Sequence, residues 1–199
     1  GRVVGRCLCR QRVLSPLRLS PRRSSPQLRS LEGFVLFGES FSAPVAARLA
    51  AKLGSKVSLL VLCNPLVEPP TGVASFLVSS FARSRLMPQW PVSLAMTEEI
   101  ETLRRRFLRE VKALPGDVFA QRVAVASSAR REDLLEHLVA PILVITGTSD
   151  RLLSSRVVED VLAQVPFAVF AQVDAPHLAA QVAPTAVWAA ITGEFERAA

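Results

Sequence analysis

FVLFGESFSAPVAARLA, residues 34–50, sets a wholly apolar run, Phe34 to Phe37, close before an alanine-rich stretch of helical character, with Ser40 near the junction. A run that is apolar on both faces suits a strand of a parallel sheet covered by helices. In the stretch that follows, Val45, Ala46, Leu49, Ala50 and Leu53 fall on one face and Gly54 supplies a stop, so the spacing predicts a helix over 43–53. A sharp strand–turn–helix junction brings the residues two before and two after its apex together, so both must be small. Gly38 and Ser42 are small. Such a junction lifts the Ser40 hydroxyl clear of the sheet, beside a helix N-terminus whose N–H groups favour negative charge. Serines flanked by small residues also occur in ordinary turns, so the motif needs partners to mean more.

Outward from this stretch, apolar runs recur at 57–62 (VSLLVL), 142–146 (ILVIT) and 167–173 (FAVFAQV), each bounded by turn residues. Helix patterns lie between and after them. Thr97 is placed to cap a helix that Pro115 and Gly116 end near Leu114, Ser154 or Ser155 to cap one reaching Val165, and Pro184 to open a last helix ending near Phe195. Strand and helix alternate, so the class is α/β, a parallel sheet with flanking helices. Residues 66–131 interrupt the alternation with prolines, arginines and helix patterns but no strand pattern, which reads as a helical lid insertion over the C-terminal ends of the strands. There Phe76, Phe81, Met87 and Trp90 either line an apolar substrate pocket or pack the lid onto the sheet.

Two later loops supply partners for Ser40. ILVITGTSDRLLS puts Asp150 after a strand, and VDAPHLAAQVAP puts His177 in the loop after the last strand. Serine, acid and histidine in this chain order suit a hydrolase in which the imidazole takes the serine proton while the acid fixes the tautomer and stabilises the cation. Asp174 is a rival acid but lies only three residues before His177, and Asp150 is favoured. The other histidine, His137, falls in the charged helical stretch REDLLEHL and reads as a surface residue.

Bulk composition bounds the alternatives. At 199 residues, half of them hydrophobic, the chain can bury one sizeable core, and no apolar run reaches the length of a membrane-spanning helix, so a soluble protein is expected. Cys7, Cys9 and Cys63 make neither a disulfide framework nor a zinc set. The net charge of +7 is a local feature: residues 1–30 hold eight arginines and no acid, leaving 16 basic and 17 acidic residues in 31–199. This Arg/Ser/Pro-rich tail has no periodicity and reads as disordered. It suits a mis-joined or truncated end, an organelle-targeting segment or a basic arm. Without interleaved aromatics it is a poor nucleic-acid binder. Compartment and oligomeric state are not legible.

From about Leu31 to Phe195 the chain resembles the C-terminal part of α/β-hydrolase fold proteins, of the single-domain esterase kind with a small helical lid. The likeness is carried by FVLFGESFSAPVAARLAAKLGSKVSLLVLCNP, LLEHLVAPILVITGTSDRLLS and APHLAAQVAPTAVWAAITGEF. The resemblance implies a serine nucleophile at Ser40, an acid at Asp150, a base at His177 and an oxyanion donor in the Phe41 N–H. It implies a small carboxylic ester as substrate and no cofactor or metal. Two departures stand out. Ser42 replaces the usual last glycine of the turn, and residues 1–33 supply neither the family's earlier strands nor the loop that carries a second oxyanion donor. A chain of this extent is therefore expected to hold FVLF at a sheet edge and to be slow or inactive, or to be a non-catalytic binding protein of the same fold.

Overall fold

The computed structural model describes residues 33–66, 101–115, 138–153 and 167–198, together with single positions at 118, 158, 159, 161, 163 and 165. The basic segment 1–30, the capping residues Thr97, Ser154 and Ser155, His137, and Phe76, Phe81, Met87 and Trp90 of the insertion lie outside these residues.

Each apolar run forms a strand: β1 (Phe34–Glu39), β2 (Val57–Cys63), β3 (Ile142–Gly147) and β4 (Val169–Val173). All pair in parallel, in the order β1-β2-β3-β4. Parallel neighbours cannot be joined by a tight turn, so the chain must cross over between them. Helix α1 (Ser42–Leu53) makes the first crossover and stops at Gly54, whose positive φ of +56° glycine adopts without the steric cost a side chain would bring. Helix α2 (Glu101–Ala113) ends two residues before Pro115, as the sequence anticipates. After β4 come a single turn, α3 (Ala179–Val182), and the longer α4 (Pro184–Ala198). Pro184 opens α4, where a missing N–H costs nothing.

The two faces of the sheet carry separate cores. Leu60, Leu62, Ile142 and Val144 point to the α1 side, where they meet Ala43, Ala46, Ala47 and Ala50. Leu59, Val61, Leu143 and Ile145 point to the other side, against Ala179, Val187 and Ile191. Strands β2 and β3 are buried on both faces, so their unbroken apolar runs follow from the architecture. Burying even one Leu or Ile side chain contributes roughly 1.5–3 kcal/mol, and β2 and β3 supply nearly all of the largest fully buried apolar side chains.

One helix face differs from the sequence reading. The buried side of α1 is Ala43, Pro44, Ala46, Ala47 and Ala50, while Val45 is 47% exposed. The reason is distance. An added Cβ on Gly38 would lie 2.7 Å from Ala46 Cβ and 2.8 Å from Ala43 Cα, so α1 runs too close to β1 for a larger side chain at those two positions.

Candidate active site

Ser40 follows β1 directly and adopts φ +52°, a left-handed conformation unusual for a residue with a side chain. Such a conformation costs of order 1–3 kcal/mol and persists only where the surroundings enforce it. Here they do. The Ser40 N–H donates to Cys63 C=O at 2.9 Å, and the Ser40 C=O accepts from Ala43 N–H at 3.1 Å. Ser42, which the sequence marks as a departure at a tight contact, is put to use: its Oγ accepts from Glu39 N–H and donates to Glu39 C=O, both at 2.8 Å. The hydroxyl thus clasps the end of β1 to the start of α1.

The loop after β3 presents Asp150. Its N–H closes a turn onto Gly147 C=O, and its Oδ1 accepts the N–H groups of Leu152 and Leu153 at 2.7 and 3.1 Å. That arrangement fixes the carboxylate and leaves Oδ2 free to meet His177 Nδ1 at 2.7 Å. On the other side of the ring, His177 Nε2 lies 2.6 Å from Ser40 Oγ. A carboxylate only accepts, so the neutral ring carries its proton on Nδ1, and Nε2 is the lone pair that accepts the Ser40 O–H. The side chains of His177 and Asp150 are 3% and 5% exposed, so the pair is shielded from water. Residues 137 apart in the chain are thereby brought into one hydrogen-bonded series, Ser40–His177–Asp150. Asp174, the rival acid, accepts instead from the Thr148 hydroxyl at 3.2 Å. Phe41 stands at the N-cap of α1, where an N–H finds no acceptor within its own helix.

Two further residues hold the site together and are not marked by the sequence reading. Glu39 Oε1 accepts Ala180 N–H at 2.8 Å and Oε2 accepts the Gln181 amide at 2.7 Å, tying the serine turn to α3, just past the histidine. Burial raises the Glu39 carboxyl above its ordinary range, opposed by these two hydrogen bonds and by the pull of His177 when charged. Burial, and then the negative charge of Glu39, push the Cys63 thiol well up, so it stays protonated and makes a long contact of 3.7 Å to Glu39 Oε1. Asn64 is fully buried at the end of β2 with φ +39°. The one sequence signal for it is an asparagine closing an apolar strand, a residue type that tolerates the left-handed region. Gly147 completes the fit, since a Cβ there would collide with the Ala175 carbonyl and lie 2.8 Å from Pro176 O.

Among the described residues, no group of three or more His, Cys, Asp or Glu side chains is gathered as a metal site, and no helix is long and apolar enough to cross a membrane.

No protein-family model matches the chain, and no curated protein matches it either. Solved structures do. A thermophilic esterase from Thermogutta terrifontis superposes with a TM-score of 0.70 at 22% identity, over 84% of this chain and 66% of that one. An esterase from Exiguobacterium antarcticum gives 0.73 at 14%, over 85% and 69%. The enol-lactonase from Burkholderia xenovorans gives 0.68 at 15%, over 85% and 66%. The chain spans about two thirds of the length of these structures. At such identities the likeness is one of fold.

Proposed function

Starting from a chain that carries part of the α/β-hydrolase fold, we propose that it is a serine hydrolase acting on a small carboxylic ester through an acyl-enzyme. The reading rests on one observation, the series Ser40 Oγ–His177 Nε2 at 2.6 Å and His177 Nδ1–Asp150 Oδ2 at 2.7 Å. Ser40 is a weak nucleophile until a base takes its proton. Nε2 of His177 is in place for that, and the Asp150 carboxylate stabilises the imidazolium that forms. As the proton moves to Nε2, Ser40 Oγ bonds to the ester carbonyl carbon and the carbonyl oxygen becomes an oxyanion. The Phe41 N–H, next to the serine at the start of α1, is the group this reading assigns to that charge. Collapse of the tetrahedral intermediate breaks the bond to the alcohol oxygen, which leaves with the proton from His177. Water then gives a proton to His177 and adds to the acyl carbon, and collapse of this second tetrahedral intermediate breaks its bond to Ser40 Oγ, which takes the proton back from His177 as the acid is released. The strained backbone at Ser40 supports the same reading, since strain of this kind concentrates at functional sites.

The experiment is hydrolysis of an aryl acetate by the full chain beside its Ser40→Ala, His177→Ala and Asp150→Asn variants. Ser40→Ala and His177→Ala are expected to reduce turnover to background. Asp150→Asn is expected to lower it by roughly 10⁴-fold, because an amide favours the wrong tautomer. Losses should not add, since the three residues act as a unit. Equal turnover by wild type and Ser40→Ala would overturn the proposal and leave a binding protein of the same fold.

A further inference from the structure

We infer that Asn64 is the positioning residue for His177, an assignment that rests on reading Ser40–His177–Asp150 as the hydrolytic unit. The Asn64 side chain donates through Nδ2 to the His177 C=O at 2.6 Å and, at the longer distance of 3.4 Å, to the Pro176 C=O. Its Oδ1 accepts the Gly147 N–H at 2.8 Å, and its own N–H donates to Ile145 C=O at 2.8 Å. One side chain therefore joins the end of β2 to the end of β3 and to the loop after β4.

The chemistry of the position admits little else. Carbonyl oxygens on one side demand a donor and an amide on the other demands an acceptor, and a primary amide on a short stem supplies both. Aspartate would set a carboxylate against the His177 carbonyl. Leucine or alanine would leave a buried N–H and buried carbonyls without partners, at about 1–3 kcal/mol for each group. The backbone conformation restricts the choice further, since φ +39° suits asparagine or glycine and strains other residues.

The geometry also gives the residue a bearing on the reaction. Cys63 C=O holds the Ser40 N–H, and Asn64, the next residue, holds the His177 C=O. Both reacting residues are thus hung from consecutive positions at the end of the same buried strand. With Asp150 fixing the ring at Nδ1 and Asn64 fixing the main chain, the reach from Nε2 to Ser40 Oγ is set from two sides.

Asn64→Gly separates the tether from the strain, because glycine accepts φ +39° freely and lacks the amide. Two readouts are taken on the full chain. Hydrogen exchange reads the tether without reference to activity: the Gly147 amide, whose acceptor is Asn64 Oδ1, is expected to exchange at least ~10-fold faster in the variant, while amides inside β2 and β3 stay protected. Kinetics with an aryl acetate, scaled to folded protein well below the Tm, reads positioning: kcat is expected to fall about 10- to 100-fold with KM changed less than about 3-fold. A purely structural role lowers the Tm and leaves kcat per folded molecule intact. Unchanged Gly147 exchange overturns the tether whatever the activity. Faster exchange with unchanged kcat in an active protein overturns the positioning role. A wild type without Ser40-dependent turnover overturns the hydrolase reading and the positioning role with it, while the exchange result still decides the tether.

Discussion

Ser40 and Asn64 stand at the ends of neighbouring strands and are the two non-glycine residues with positive φ among the described residues, at +52° and +39°. Their surroundings differ. Ser40 is half-buried, its hydroxyl turned to the ring of His177, and its turn is closed by small neighbours. Asn64 is fully buried, its amide turned to the main chain of the same histidine. The same backbone strain turns a hydroxyl towards the imidazole in one turn and fastens the main chain of that histidine in the other. A strained residue at a site is therefore informative about where function sits, and its hydrogen bonds decide which part it plays.

The sharpest way to break the second turn without touching Asn64 is Gly147→Ala. The new Cβ meets the Ala175 carbonyl, which is backbone and cannot turn aside, so the histidine loop must shift. A loss of about 3 kcal/mol in stability is expected, with Ser40-dependent hydrolysis falling further than stability explains. Urea denaturation and turnover measured on the same samples check both. Gly38→Ala is the matching break in the serine turn. Its Cβ would lie 2.7–2.8 Å from Ala46 Cβ, Ala43 Cα and Ser42 O, and about 2 kcal/mol of destabilisation is expected. Because α1 can move outward as a unit, the effect is smaller than at Gly147.

Ser42→Ala tests the clasp at Glu39 and should cost about 1 kcal/mol, less than a buried bond, because the hydroxyl is exposed. Ser42→Ala as stable as wild type in thermal unfolding would show that the departure from glycine is merely tolerated. The smallest effect concerns pH. Burial raises the Glu39 carboxyl above its reference of 4.5, so the native state holds this proton more tightly than the unfolded chain does. Its contribution to stability is then full below about 4.5 and is lost as pH rises through the native value. The stability of wild type relative to Glu39→Gln should accordingly decline over that window and then level off. A difference independent of pH between 4 and 7 contradicts it.

What the sequence disclosed follows the same division. Ser40 was legible because its turn needs small residues at fixed spacing, and Asp150 and His177 because each closes or follows an apolar run in a chain order that chemistry restricts. Asn64 and Glu39 were not, because the bonds that fix them go to groups more than 80 residues away, and an asparagine closing an apolar strand is the one local sign. Strands β2 and β3 read as apolar runs of a covered parallel sheet and are buried as such. Strand β1 is as apolar in sequence as β2 and β3 but, among the described residues, pairs only with β2 and leaves Phe37 39% exposed. Helix α3 has no sequence signature, because a single turn has no periodicity to read.

Covalent labelling tests most directly whether Ser40 and His177 form one reactive unit. The full chain and its His177→Ala variant are treated with a fluorophosphonate and the adduct is located by peptide mass spectrometry. An adduct on Ser40 is expected in the wild type, formed about 10³-fold or more faster than in His177→Ala. No adduct on Ser40, or one that forms at the same rate without His177, contradicts it.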